Sequence, residues 1–153
     1  MNIRVEHDSP VPPAKVQQYF FDLREDDHQR GNHPKIVRWK EGDYRKILSR
    51  NATEVTAEDG YRGGKAKVGF LLKKDGTDAI DYDVKGQWYD SKGRLEAKPN
   101  GAGSHVVFHS GATWKRSAWL LKLFTGSMLQ KAISADMQEH LRLMDEDWAK
   151  QPW

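Results

Sequence analysis

The sequence predicts an α+β fold in which a curved antiparallel sheet of about six to seven strands wraps around one long C-terminal helix. One or two short helices follow the first strand. Three features carry this reading. From residue 35 to about 115, apolar and polar residues alternate with a two-residue period, broken by glycine-containing turns. Beyond Trp114 the period lengthens. Leu129, Ile133, Met137, Leu141, Met144 and Trp148 step by four, four, four, three and four, one continuous stripe on a helix. An antiparallel sheet with one wet face must bury the other, and this stripe alone is wide enough to cover it.

Taken in order, "NIRVEH" alternates and reads as a first strand. In "DSPVPPAKVQQYFFDL" the prolines close that strand and pre-set a helix start; Ala14 or Val16, then Tyr19, Phe20 and Leu23 recur at helical spacing over roughly residues 13 to 24. "REDDHQRGNHP" is polar and ends in Gly31 and Pro34, which reads as one further helical turn at most and then a loop. "IVRWKEG" predicts a short strand, and "YRKILSRNATEVTAEDG" a single long one closed at Asp59-Gly60. "GKAKVGFLLKKDG" sets Ala66, Val68, Phe70 and Leu72 on one face and turns at Asp75-Gly76. "DAIDYDVKGQWYD" sets Ile80, Tyr82, Val84, Gly86 and Trp88 on one face and leads to a turn at "DSKG". "RLEAKPNGAG" turns at Asn100-Gly101, and "SHVVFHSGATWK" is the last strand. Turns this short between consecutive strands give a meander of hairpins. The closing helix spans about residues 127 to 149, roughly 33 Å in length. Gly126 marks a kink or break from a similar face at Leu120, Phe124 and Met128. With no internal repeat and no linker, residues 1–153 form a single domain.

Composition narrows the function classes. The chain has 153 residues, 37% hydrophobic and 31% charged, with 25 basic and 22 acidic residues interspersed and a net charge of +3. No basic block stands out, so nucleic acid is not an expected partner. The absence of cysteine removes disulfide and thiolate chemistry. "MNIRVEHDSP" lacks the layout of a secretory signal, and the expected location is the cytoplasm. The longest apolar run, "AWLLKLF", is interrupted by a lysine and too short to cross a bilayer. Peripheral membrane contact stays open, because Trp114, Lys115, Arg116, Trp119, Lys122 and Phe124 form a basic amphipathic cluster.

Candidate chemistry is sparse. Tyr82 and Trp88 need a partner for O–H or N–H when buried, which either a polar-tipped ligand or a neighbouring carbonyl supplies. His105 and His109 lie four apart on one face of the last strand and suit general acid–base work if they point inward; Val106 and Phe108 argue for the opposite register. Asp136 precedes Met137 on the long helix, beside the apolar stripe, and is the best placed of several charged residues (Arg50, Glu54, Arg62) to sit buried with a shifted pKa. His28 and His33, with Asp26 and Asp27, match no compact metal motif, so no metal is expected. "GYRGGKAK" enters a strand and lacks phosphate-loop geometry. A two-layer sandwich with a filled core satisfies the same pattern as a sheet around a hollow.

The layout resembles the helix-grip fold of the START-like, SRPBCC superfamily, which includes polyketide cyclase/dehydrase and lipid-transport proteins. The resemblance rests on the helix in "SPVPPAKVQQYFFDL", the polar loop into "HPKIVRW", the hairpin "AKPNGAGSHVVFH" and the closing "LLKLFTGSMLQKAISADMQEHLRLMDEDW", and it spans nearly the whole chain. His33 stands where a tryptophan is common, and Ser104 where threonine is usual. The resemblance implies a deep apolar cavity between sheet and helix that binds a lipid, a polyketide or another aromatic compound, as carrier or sensor and without a cofactor. The expected lining is Trp39, Phe70, Ile80, Tyr82, Trp88, Phe108 and Trp114 from the sheet, with Phe124, Met128, Ile133 and Met137 from the helix. Two alternatives stand beside it: a cyclase or dehydratase using the same cavity, and a ligand-free interaction or membrane-surface module.

Overall fold

The first strand, β1 (Asn2–Ser9), alternates as its sequence requires, with Ile3 and Val5 buried between exposed Asn2, Arg4 and Glu6. The structure is a computed structural model that describes residues 1–27 and 40–153, with residues 119–125 described along the backbone only. Pro13 opens α1 (Pro13–Phe21), where a missing N–H leaves nothing unpaired. Six further strands follow: β2 (Tyr44–Arg50), β3 (Glu54–Tyr61), β4 (Ala66–Asp75), β5 (Ala79–Lys85), β6 (Tyr89–Asn100) and β7 (Gly103–Trp114). A single 3-10 turn, Arg116–Ala118, leads into α2 (Trp119–Lys150). The seven strands form one antiparallel sheet in the order β1-β7-β6-β5-β4-β3-β2. It is a meander whose first strand returns to pair with its last.

Four boundaries differ from expectation, each for a local reason. The predicted long strand over residues 44–60 is two strands, because the Asn51 carboxamide oxygen accepts from the Thr53 and Glu54 amides at 2.9 and 2.8 Å and folds a turn. The turn expected at Asp59-Gly60 comes later, at Arg62-Gly63-Gly64, three successive residues with positive φ. The turn expected at "DSKG" comes earlier. The Gly86 amide donates to the Tyr89 carbonyl at 3.0 Å, and a Cβ on Gly86 would sit 2.8 Å from that oxygen. Finally, Gly126 does not break α2, which runs continuously through it for 32 residues; one helical glycine is a small penalty against tertiary packing. Of the short strand expected over 36–42, residues 36–39 lie outside the described residues, and Glu41-Gly42 form a turn.

The main core lies at one end of the sheet. Ile3 and Val5 from β1, Leu95 from β6, Val106 and Phe108 from β7, Val16 from α1 and Leu141 and Met144 from α2 pack together there. Ile133, Met137 and Trp148 of the predicted helical stripe border this cluster. A polar clamp fixes the helix to the first strand: Asp145 accepts from the Ser9 hydroxyl at 2.5 Å and pairs with the His7 Nε2 at 2.6 Å. Further along the same edge, the Gln130 carboxamide donates to the Asn2 carbonyl at 3.0 Å. Thus α2 leans on β1, and more lightly on β7. α1 packs on β6, and Gln17 hydrogen-bonds the Gly76 and Ala79 carbonyls at the β4–β5 turn.

Candidate functional site

Beyond the main core, the inner face of β3–β7 changes character. Register places Tyr82 opposite Gly93, Val84 opposite Ser91, Leu72 opposite Tyr82 and Phe70 opposite Val84. Ser110 and Ala112 of β7 face Gly93 and Ser91. Small residues therefore occupy the middle strands where Leu95, Ala97 and Val106 fill the core end. Phe70, Leu72, Tyr82, Val84, Tyr89 and Trp114 are only half-buried, so apolar surface remains incompletely covered. We call this region the recess. A separate shallow depression of about 280 Å³ at Asn2–Arg4 and His109–Gly111 involves none of these aromatic residues.

Tyr82 separates the core from the recess. Its ring lies across Gly93, where a Cβ would fall 2.2 Å from the phenolic oxygen. The ring stacks on Phe108 with centroids 5.4 Å apart, and the hydroxyl donates to the His109 carbonyl at 3.0 Å. The hydroxyl's partner is thus a backbone carbonyl, one of the two partners its burial called for.

Two largely buried polar groups lie outside the main core. The first joins β2 to β3. Arg45 forms a bidentate pair with the fully buried Asp59, both bonds 2.7 Å, and donates to Asp27 at 2.7 Å. The Tyr61 hydroxyl donates to Asp59 at 3.0 Å. The Arg45 guanidinium also lies 5.9 Å from the Phe70 ring centroid.

The second is Asp136, projecting from α2. Its side chain is 25% exposed, yet Oδ1 is shielded and has no hydrogen-bond partner. Burial pushes its pKa up from the usual 3.8 to about 6. Burial also raises the pKa of Tyr61 and Tyr89, and the Asp136 charge adds to both shifts. One turn further along α2, the His140 ring lies 6.3 Å from that of Phe20, so this face of the helix turns toward the interior of the fold.

The other expected site residues divide. Phe70, Tyr82 and Trp114 border the recess, Trp114 with its ring 5.9 Å from that of Tyr89. Ile80 and Phe108 are 2% and 4% exposed and belong to the packed interior, as a face filled by neighbours must. Ile133 and Met137 pack against the main core, and Met128 is 69% exposed on the outside of α2. Trp88 leaves the inner face because β5 ends at Lys85; it is 38% exposed in the turn, with the Arg62 guanidinium 5.7 Å from its ring. His105 and His109 share the outer face of β7, since Val106 and Phe108 take the inner one. His105 there pairs with Asp8 at 2.7 Å. Trp39, His28, His33 and the side chain of Phe124 lie outside the described residues. Among the described residues no cluster has the make-up of a metal site, and no helix is long and apolar enough to cross a membrane.

Sequence reasoning passed over Arg45, Asp59, Tyr61 and Tyr89. Asp59 was hidden by its Asp-Gly turn signature. Tyr89 was assigned to the wet face because the turn was expected four residues too late, which kept Tyr89 in the strand before the turn rather than the one after it.

A sheet of seven antiparallel strands around a C-terminal helix, with a recess between them, defines a helix-grip protein. Comparison with solved structures places it in the START-like, SRPBCC fold. The chain superimposes on the Zhui aromatase/cyclase of Streptomyces sp. R1128 with a TM-score of 0.72 at 11% identity, covering 99% of this chain and 94% of that one. A START superfamily protein from Mycobacterium smegmatis gives 0.63 at 12% identity, covering 97% of both chains. A protein from Thermus thermophilus gives 0.69 at 17% identity, covering 95% of both. No protein-family model matches the chain, and no curated protein matches it in sequence.

Proposed function

We propose that the protein binds a hydrophobic small molecule, a lipid, polyketide or other aromatic compound, in the recess between its sheet and α2, as a carrier or sensor. One observation carries this reading. Phe70, Leu72, Tyr82 and Val84 form a contiguous apolar surface that the protein's own side chains leave partly uncovered, directly beside a sealed core. Structural likeness to an aromatase/cyclase and to a START superfamily protein supports it. Titration with Nile red, a neutral apolar dye, tests it. We expect saturable fluorescence enhancement, with affinity at least tenfold weaker in Val84→Trp, which fills the recess. Dye binding that is absent, or indifferent to Val84→Trp, removes the reading.

A second reading, a cyclase or dehydratase, is favoured by Asp136 alone. A carboxyl that titrates near pH 6 is poised to exchange a proton with a substrate. Incubation with a linear polyketide thioester should then yield a product that has lost water, and Asp136→Asn should abolish it. Binding without turnover leaves the carrier.

A further inference from the structure

We infer that the recess selects apolar molecules carrying a cationic or hydrogen-bond-donating head, an ammonium or a hydroxyl, and discriminates against carboxylates, with the side chain of Asp136 as the acceptor. The inference deepens the proposed small-molecule binding and rests on it.

The geometry around Asp136 differs from that of every other shielded carboxylate among the described residues. Three buried carboxylate oxygens lack a hydrogen bond: Asp83 Oδ1, Asp90 Oδ1 and Asp136 Oδ1. Two of them have a lysine at hand. Lys85 Nζ is 3.3 Å from Asp83 Oδ1, and Lys115 Nζ is 3.4 Å from Asp90 Oδ1. Asp136 Oδ1 has none among the described residues. On the same helix, His140 Nδ1 is 3.6 Å from the other oxygen, Oδ2, and bonds the Asp136 backbone carbonyl at 3.1 Å.

The facing strands do not complete the pair. Tyr61 on β3 gives its hydroxyl to Asp59, and Arg45 on β2 divides its guanidinium between Asp59 and Asp27. Tyr89 on β6 is a phenol kept neutral by burial. Phe70 and Val84, paired across β4 and β5 and half-buried on the inner face, give an apolar ligand body somewhere to lie. A quarter of the Asp136 side chain stays exposed, and a donor that reaches this open edge of the carboxyl from a molecule whose remainder is apolar gains because little water competes for it. A carboxylate head in the same place meets like charge in a medium that screens it poorly. The chain's net charge of +3 would by itself favour an anionic ligand. A preference for the cation therefore has to come from a local group.

Competition against Nile red at pH 8 with decylammonium and decanoate, which have equal chains and opposite charges, tests the inference. We expect decylammonium to displace the dye from the unaltered protein at a concentration at least tenfold lower than decanoate. The ratio, read against each variant's own dye affinity, should collapse toward one in Asp136→Asn and in Asp136→Leu. Decan-1-ol should fall between the two ions and weaken in Asp136→Leu. Dye binding accompanied by a ratio of one or below, or a ratio unmoved by both variants, overturns the role of Asp136 and leaves small-molecule binding intact. Failure of the dye to bind at all overturns the binding reading, and the inference with it.

Discussion

The same strands build two different interiors. Toward the β4–β5 turn, Ile80, Leu95, Ala97, Val106 and Phe108 are each at most 4% exposed, covered by α1 and the C-terminal half of α2. Toward the opposite ends of the strands, the inward positions are Val84, Ser91, Ser110 and Ala112, and the larger residues beside them stay half-buried. The two-residue period is identical in both regions. What differs is side-chain volume and cover. α1 is only nine residues long and packs at one end of the sheet, while α2 leans on β1 rather than on β3–β5. Alternation therefore specifies which face is inward, and residue size decides whether that face becomes a core or a cavity wall.

Mutations can break or sharpen this contrast. The largest effect is expected at Asp59, the buried charge on the recess side. Asp59→Ala should lower stability by about 3–5 kcal/mol in urea denaturation, because it leaves the Arg45 guanidinium buried without its bidentate carboxylate. A loss under about 1 kcal/mol would mean that the pair is solvated. Next comes a matched truncation. Leu141→Ala, fully buried in the core, should cost about 2–5 kcal/mol, whereas Val84→Ala should cost about 1 kcal/mol or less, since it removes contacts on one side only. Equal costs per methylene would show a solid recess.

Asp136 gives a smaller effect of opposite sign. Burial raises its folded-state pKa to about 6 from 3.8, so the folded chain holds this proton more tightly than the unfolded chain. That contribution is complete below about pH 4 and is lost as pH rises through about 6. Asp136→Asn should therefore stabilise the protein by about 1–2 kcal/mol at pH 8, after allowance for partial exposure, and give no comparable gain at pH 4. A pH-independent gain would separate the effect from ionisation. A similarly small change is expected at Tyr82→Phe, which deletes the bond to the His109 carbonyl and should cost about 1 kcal/mol. A loss of Nile red affinity beyond tenfold there would place the hydroxyl on the ligand instead.

The fold was legible because its two periods are clean. The stripe from Ile133 to Trp148 does line the packed side of α2, and the antiparallel order follows from short turns. Turn positions were less legible, because turn-forming residues have second uses. Asp59-Gly60 continues a strand since Asp59 is needed for Arg45. Gly93 continues another since Tyr82 lies across it. The candidate site suffered accordingly. Shifting one turn to Gly86 sent Trp88 out to the rim and brought Tyr89 in. Asp136 was visible as a carboxylate beside an apolar stripe. Its unpartnered oxygen was not, because that depends on strands far away in sequence.

The placement of Tyr82 over Gly93 also sets a length scale. From Gly93 to Tyr89, where β6 begins at the turn that carries Trp88, is four residues, or about 13 Å of extended strand. Under the proposed binding, a ligand lying along the strands would meet a stop at one end and solvent at the other; chains within this span would be enclosed, and longer ones would protrude past Trp88. The tyrosine would then be the zero mark of a ruler, with the residue at position 82 fixing where measurement begins.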